Sequence, residues 1–123
     1  MTLILVGAGG FFGAIARYLL DAWVLAATGG RFPWGTLVVN VSGSFLLGVL
    51  FAASMERAIL PPAIRAPVLI GFIGAYTTFS TLTLETWRLV EDGSYVLAFG
   101  NLAGSMALGI VAVVAGLSLG RML

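Results

Sequence analysis

Four long apolar stretches alternate with short polar segments along the chain. The apolar stretches cover residues 3–26, 34–54, 67–87 and 95–120. A helix needs ~20 mostly apolar residues to cross the hydrocarbon core of a bilayer, and each stretch reaches that length. Turn-forming sequences separate them, such as Thr-Gly-Gly at 28–30 and Asp-Gly-Ser at 92–94. The pattern predicts an all-α integral membrane protein, with residues 1–123 forming a single membrane domain of four transmembrane helices.

Composition supports this interpretation and excludes several classes of function. Hydrophobic residues make up 60% of the chain and charged residues 9%, whereas soluble domains carry about 25% charged residues. We therefore expect membrane lipid to surround the protein. The net charge of +1 without a basic stripe argues against a nucleic-acid partner. The absence of cysteine and histidine removes thiolate metal sites and the usual general base, so we do not expect an enzyme.

A polar stripe follows one face of the predicted second helix. Its members are four residues apart: Thr36, Asn40, Ser44 and Gly48. The Asn40 amide can donate two hydrogen bonds, which suits a small anion. Asn, Ser and Thr also form hydrogen bonds between membrane helices, so the stripe by itself leaves interhelical contact as an open alternative.

The predicted fourth helix repeats this arrangement with Asn101, Ser105 and Gly109. Two polar stripes favour a wet pathway for a small ion, because polar groups inside a membrane are costly and usually functional. Neither stripe carries a charged residue, which argues against a proton-coupled carrier.

The predicted third helix contains an unusual density of hydroxyl groups. Six of the eight side chains at 76–83 carry one, and glycines precede them at Gly71 and Gly74. Glycine and β-branched residues disfavour a regular helix, so we expect a break here. Broken backbone at membrane depth is tolerated where it is buried or lines a cavity. The alternative is a continuous helix whose Ser and Thr hydroxyls bond to their own carbonyls.

The six arginines divide evenly between the two predicted sides of the membrane. Arg57, Arg65 and Arg121 lie on the side of the termini, and Arg31, Arg88 and Arg17 lie on the other, Arg17 near the end of the first helix. Since Lys and Arg set orientation, this balance predicts a dual-topology chain that forms an antiparallel homodimer, unless the balance is due to chance. The spacings Arg17–Asp21 and Glu85–Arg88 predict two ion pairs near the membrane interface.

Three sequence motifs resemble the Fluc (CrcB-type) family of bacterial fluoride ion channels. They are Gly-Ala-Ile-Ala-Arg-Tyr at 13–18, Trp-Gly-Thr-Leu-Val-Val-Asn-Val-Ser-Gly at 34–43, and Gly-Phe-Ile-Gly-Ala-Tyr-Thr-Thr-Phe-Ser-Thr at 71–81, followed by Glu85. Chain length and the number of spans also match, so the resemblance covers essentially the whole sequence.

The resemblance implies a fluoride-selective channel in the bacterial cytoplasmic (inner) membrane. It would export fluoride passively and lower cytoplasmic fluoride. Two pores per antiparallel homodimer are implied, along with a structural Na+ at the dimer interface, held by the backbone carbonyls of Gly74 and Thr77. The fluoride pathway would include Asn40, Phe79, Ser80, Thr81, Asn101 and Ser105, with Arg17 near its vestibule. Two positions depart from the family pattern: Leu82 replaces a second pathway phenylalanine, and Gly109 replaces a serine.

Two other functions are consistent with a small four-span chain. A dual-topology exporter of the multidrug-resistance type needs a carboxylate inside the membrane, and the first span has none before Asp21. A passive assembly subunit would carry no ion flux, and it does not account for two polar stripes together with a broken helix.

Overall fold

The protein folds as four long helices joined by short connections. A computed structural model describes residues 1–123 and contains no β-strand. The helices are α1 (Thr2–Thr28), α2 (Trp34–Glu56), α3 (Pro62–Glu91) and α4 (Tyr95–Met122). Each is long enough and apolar enough to cross a membrane. The all-α class and the four membrane-crossing helices are therefore confirmed, and each helix extends past the apolar stretch that predicts it.

The third helix is broken, as the sequence predicts. It begins with an α-helical turn at Pro62–Ala66, continues as a wider π-helical segment at Pro67–Ile73, and returns to α-helix at Gly74–Tyr76. Thr77 (ψ 158°) and Thr78 (φ −150°, ψ 117°) are extended, and helix resumes at Phe79–Glu91. Pro67 has no N–H to donate to the preceding turn, which favours the local widening. The alternative of a continuous helix is wrong.

Close backbone contacts hold the helices in pairs. α2 packs along α4, and α1 packs along the π-helical part of α3. A Cβ added at Gly116 would collide with the carbonyl oxygen of Phe45, and one at Gly13 with the carbonyl oxygen of Phe72. These glycines are needed because helix backbones that approach this closely leave no room for a side chain. The packing places the break in α3 beside the polar stripe of α2.

The two predicted ion pairs do not form. The one salt bridge in the protein joins Arg121 Nε to Glu56 Oε2 at 2.7 Å, so it connects the ends of α4 and α2. Asp21 instead lies against Gly35 in the first turn of α2, where the helix dipole favours a negative charge. Glu85 turns toward Thr36.

Arg17 also lies deeper in the first helix than the sequence analysis placed it. It precedes the end of α1 at Thr28 by about three turns. It is therefore a residue within a membrane-crossing helix rather than one near its end.

Candidate functional site

The side chain of Asn40 contacts the peptide groups of Thr78 at the break in α3. Asn40 Nδ2 donates to the Thr78 carbonyl at 3.0 Å, and the Thr78 N–H donates to Asn40 Oδ1 at 2.8 Å. The hydrogen bonds tie α2 to α3 through a single amide group. Asn40 Nδ2 has a second N–H that makes no hydrogen bond within the chain.

Thr78 is also the N-cap of the helical segment that follows the break. Its Oγ1 accepts from the backbone N–H of Thr81 at 3.2 Å and donates to Thr81 Oγ1 at 3.0 Å. A Thr hydroxyl at this position satisfies an N–H that has no helical partner, and so stabilises the start of the helix.

A groove of about 410 Å³ opens beside the break. Asn40, Ser44 and Gly43 of α2 line one side, residues 77–79 and Leu82 of α3 line the second, and Ser105 and Gly109 of α4 line the third. No charged side chain lines it. The break and part of each polar stripe therefore meet in a single groove.

Ser105 contributes a hydroxyl with no partner to this groove. The residue is only 7% exposed, and its Oγ makes no hydrogen bond within the chain. Buried polar atoms are nearly always paired, so this hydroxyl is a candidate partner for a ligand that enters the groove.

A second cavity of about 230 Å³ lies on the other side of Thr78. Arg17, Tyr18 and Asp21 of α1 line it together with Thr36 of α2 and Thr81 of α3. Thr78 lines both spaces. Most of the predicted pathway residues thus line one of two cavities that share Thr78.

Three other predicted residues line neither cavity. Asn101 is fully buried between α3 and α4, where its Nδ2 donates to Thr86 Oγ1 at 2.9 Å. Ser80 is exposed, with its hydroxyl 3.4 Å from that of Thr78. Gly74 is exposed on the surface of the single chain. Phe79 and Leu82 share the groove but differ in exposure, at 74% and 5%.

Sequence reasoning missed the roles of Thr78 and of the Thr36–Glu85 pair. Thr78 precedes a helical segment and is a preferred N-cap residue type, so the capping pattern was a usable signal. Thr36 Oγ1 donates to Glu85 Oε1 at 2.9 Å across 49 residues of sequence. No local spacing reveals a contact of that kind.

Comparison with known proteins identifies the family. The sequence model of the family described as CrcB-like protein, Camphor Resistance (CrcB), matches residues 4–117. The chain belongs to the CrcB-like family. A relative from Magnetococcus marinus, named fluoride-specific ion channel FluC, is 46% identical over 123 residues and is matched over 100% of both chains.

Other CrcB-like relatives carry the same name. The protein from Hahella chejuensis is 43% identical over 98% of this chain and 95% of its own length. The protein from Geobacter sulfurreducens is 42% identical over 99% of this chain and 98% of its own length. Family membership and four membrane-crossing helices together make this chain a multi-pass bacterial membrane protein.

Proposed function

We propose that this protein is a fluoride-selective channel that passively exports fluoride across the bacterial cytoplasmic membrane. The observation that carries the proposal is the groove at the break, an uncharged space that contains hydrogen-bond donors without partners. The full-length similarity to proteins named fluoride-specific ion channel supports fluoride as the ion.

The donors of the groove suit a small, strongly hydrated anion. Ser105 Oγ–H and the second N–H of Asn40 have no partner in the chain and can replace water around the ion. The helical segment that begins at Phe79 also directs the positive end of its dipole toward the groove. Because no fixed cation lines the groove, the ion binds weakly enough to leave it again, as conduction requires.

The pathway would join both cavities at Thr78. Arg17 in the smaller cavity would attract the anion, and Thr81 would pass it to Thr78 and Asn40. From there the anion would enter the groove beside Phe79 and Ser105. In a cell whose interior is negative, the membrane potential drives anions outward through such a path without an energy-consuming step.

The rival function of a multidrug-type exporter is less well supported by the geometry. Proton-coupled export needs a carboxylate at the transport site. The groove has none. Asp21 lines the smaller cavity but lies against Gly35 at the start of α2, and Glu85 hydrogen-bonds to Thr36.

An antiparallel homodimer is part of the proposal. The near balance of arginines between the two sides gives the chain little preference for one orientation. The exposed position of Gly74 leaves the backbone of α3 accessible to a second copy. Two chains related by a two-fold axis in the membrane plane would form an inverted-repeat architecture of the kind that single-chain transporters contain.

A Na+ ion at the dimer interface fits the backbone at the break. The Thr77 carbonyl oxygen accepts no hydrogen bond within the chain, and the Gly74 carbonyl does not accept the usual one from the Thr78 N–H. Two such carbonyls from each chain would offer neutral oxygen ligands, which suit a monovalent hard cation. When bound there, the ion would hold the two chains together by neutralising converging carbonyl dipoles.

Substitution of Ser105 tests the proposed pathway in liposomes that contain only this protein. Ser105→Ala removes the unpaired hydroxyl and should reduce fluoride efflux per folded protein strongly. Ser118→Ala is the matched control on α4, because the Ser118 hydroxyl bonds to its own helix at Val114 and lines neither cavity. If both variants conduct fluoride like the unsubstituted protein, the groove is not the pathway.

A further inference from the structure

The peptide of Thr78 has no hydrogen bond to any other backbone group. Its N–H does not donate to the Gly74 carbonyl, and its carbonyl does not accept from the Leu82 N–H, as both would in a continuous helix. Asn40 supplies both missing partners. A side-chain amide carries the same donor and acceptor as a peptide group, so one Asn can replace both backbone bonds.

The carbonyl four residues before Thr81 is released in a related way. In a continuous helix the Thr81 N–H would donate to the Thr77 carbonyl. Here it donates to Thr78 Oγ1 instead, and no hydrogen bond reaches the Thr77 carbonyl. Gly74 and Thr77 are therefore among the carbonyls that the break leaves without their helical donors. The N–H groups that would have donated to these two carbonyls donate to side chains instead. The Thr78 N–H donates to Asn40 Oδ1, and the Thr81 N–H donates to Thr78 Oγ1.

We infer that Asn40 is the positioning residue that holds α3 open. By replacing the helical partners of Thr78 it frees the Gly74 carbonyl, and it holds Thr78 where its hydroxyl takes the Thr81 N–H and so frees the Thr77 carbonyl. Broken backbone inside a membrane costs free energy unless other groups satisfy it, and Asn40 is the group that does so at Thr78. The part of this inference that concerns a bound cation rests on the proposed function.

The position of Asn40 separates this role from that of a simple contact between helices. Such a contact would bond side chain to side chain, or side chain to a carbonyl that already has its helical donor, and would leave the helix continuous. Asn40 instead bonds to the one residue of α3 whose peptide groups have both lost their backbone partners. By holding Thr78, Asn40 also positions Phe79, which directly follows Thr78 and lines the groove.

The test measures the backbone conformation of Thr77 and Thr78 by NMR in detergent micelles, without reference to fluoride flux. Cα and Cβ chemical shifts report whether a residue is extended or helical. Asn40→Leu removes both hydrogen bonds, and Asn40→Ala does so without added bulk. Ser44→Ala is the matched control for backbone conformation, because Ser44 lies one turn further along α2 and lines the same groove without a hydrogen bond to α3.

We expect both residues to lose their extended shifts in Asn40→Leu and Asn40→Ala and to keep them in Ser44→Ala. The rise in unfolding temperature caused by Na+ should be lost in the two Asn40 variants as well. Extended shifts that persist in a folded Asn40 variant, or that disappear equally in Ser44→Ala, would overturn the inference. If the unsubstituted protein shows no response to Na+ while the shifts change as expected, the proposed cation is wrong and the role of Asn40 at the break stands.

Discussion

Thr36, one turn before Asn40 on α2, forms a hydrogen bond with Glu85 of α3. Thr36 Oγ1 donates to Glu85 Oε1 at 2.9 Å, and Thr36 is only 3% exposed. The second carboxyl oxygen of Glu85 is buried without a partner. Thr36 is thus the one residue of the chain that hydrogen-bonds to this carboxyl group.

Replacing Thr36 with the isosteric Val should destabilise the protein. The change leaves the whole carboxyl group of Glu85 without a partner, which costs about 1–3 kcal/mol. Thermal unfolding in detergent measures the loss. Thr83→Val is the control, because the Thr83 hydroxyl is exposed and bonds to its own helix at Ser80. Equal unfolding temperatures for the two variants would show that the Thr36–Glu85 bond is not stabilising.

Phe79 and Leu82 should differ in their importance for conduction. The positive edge of the Phe79 ring can face a passing anion, whereas Leu82 has neither quadrupole nor donor. Phe79→Leu should reduce fluoride efflux by roughly tenfold, equivalent to ~1.4 kcal/mol of barrier. Leu82→Phe should be tolerated, because the adjoining groove of about 410 Å³ can accept the larger ring.

Leu82→Ala provides the comparison within the same groove. Leu82 is 5% exposed, so its truncation should lower the free energy of unfolding by about 2–5 kcal/mol. The selectivity for fluoride over chloride should change less. The neighbouring hydroxyls of Ser80, Thr81 and Thr83 would donate hydrogen bonds to the anion where it passes Leu82. Normal efflux from Phe79→Leu together with none from folded Leu82→Ala would contradict the aromatic-edge argument.

The sequence predicts the features that depend on local spacing. Hydropathy over ~20 residues identifies the four helices, and the run of hydroxyls after Gly74 locates the break. Four-residue spacing correctly places Asn40 and Ser44 on the wall of one groove. These predictions succeed because helix geometry alone relates residues that are close in sequence.

Contacts between distant residues could not be predicted in this way. The spacing Arg17–Asp21 allows an ion pair, but the first turn of α2 lies closer to Asp21 and determines its position. The Arg121–Glu56 pair spans 65 residues of sequence. The amide N–H and the amide oxygen of Asn40 both bond to Thr78 because of the way α2 packs against α3. No local pattern in either helix specifies this packing.

Dual topology predicts that the same loop is accessible from both sides of the membrane. The chain has no cysteine, so single cysteines can be introduced without removing native ones. Asp92→Cys in the α3–α4 connection and Ile59→Cys in the α2–α3 connection lie on opposite sides of the membrane. A membrane-impermeant thiol reagent should label about half of the copies of each variant from outside. Complete labelling of one variant and none of the other would exclude the antiparallel dimer.

Sodium should stabilise the dimer if it binds only to the assembled chains. Above its dissociation constant, each tenfold rise in Na+ should add about 1.4 kcal/mol to stability. Unfolding of the purified protein in NaCl, compared with choline chloride at the same ionic strength, separates binding from screening. Identical unfolding temperatures in the two salts would show that no Na+ ion stabilises the assembled chains.

Selective fluoride flux is the central claim, and liposomes containing only the purified, folded protein test it most directly. Fluoride and chloride efflux are recorded from parallel preparations, each with a K+ ionophore to remove the opposing potential. We predict fast fluoride efflux and chloride efflux no greater than from protein-free liposomes. Absence of fluoride efflux, or equal efflux of the two anions, would contradict the proposed function.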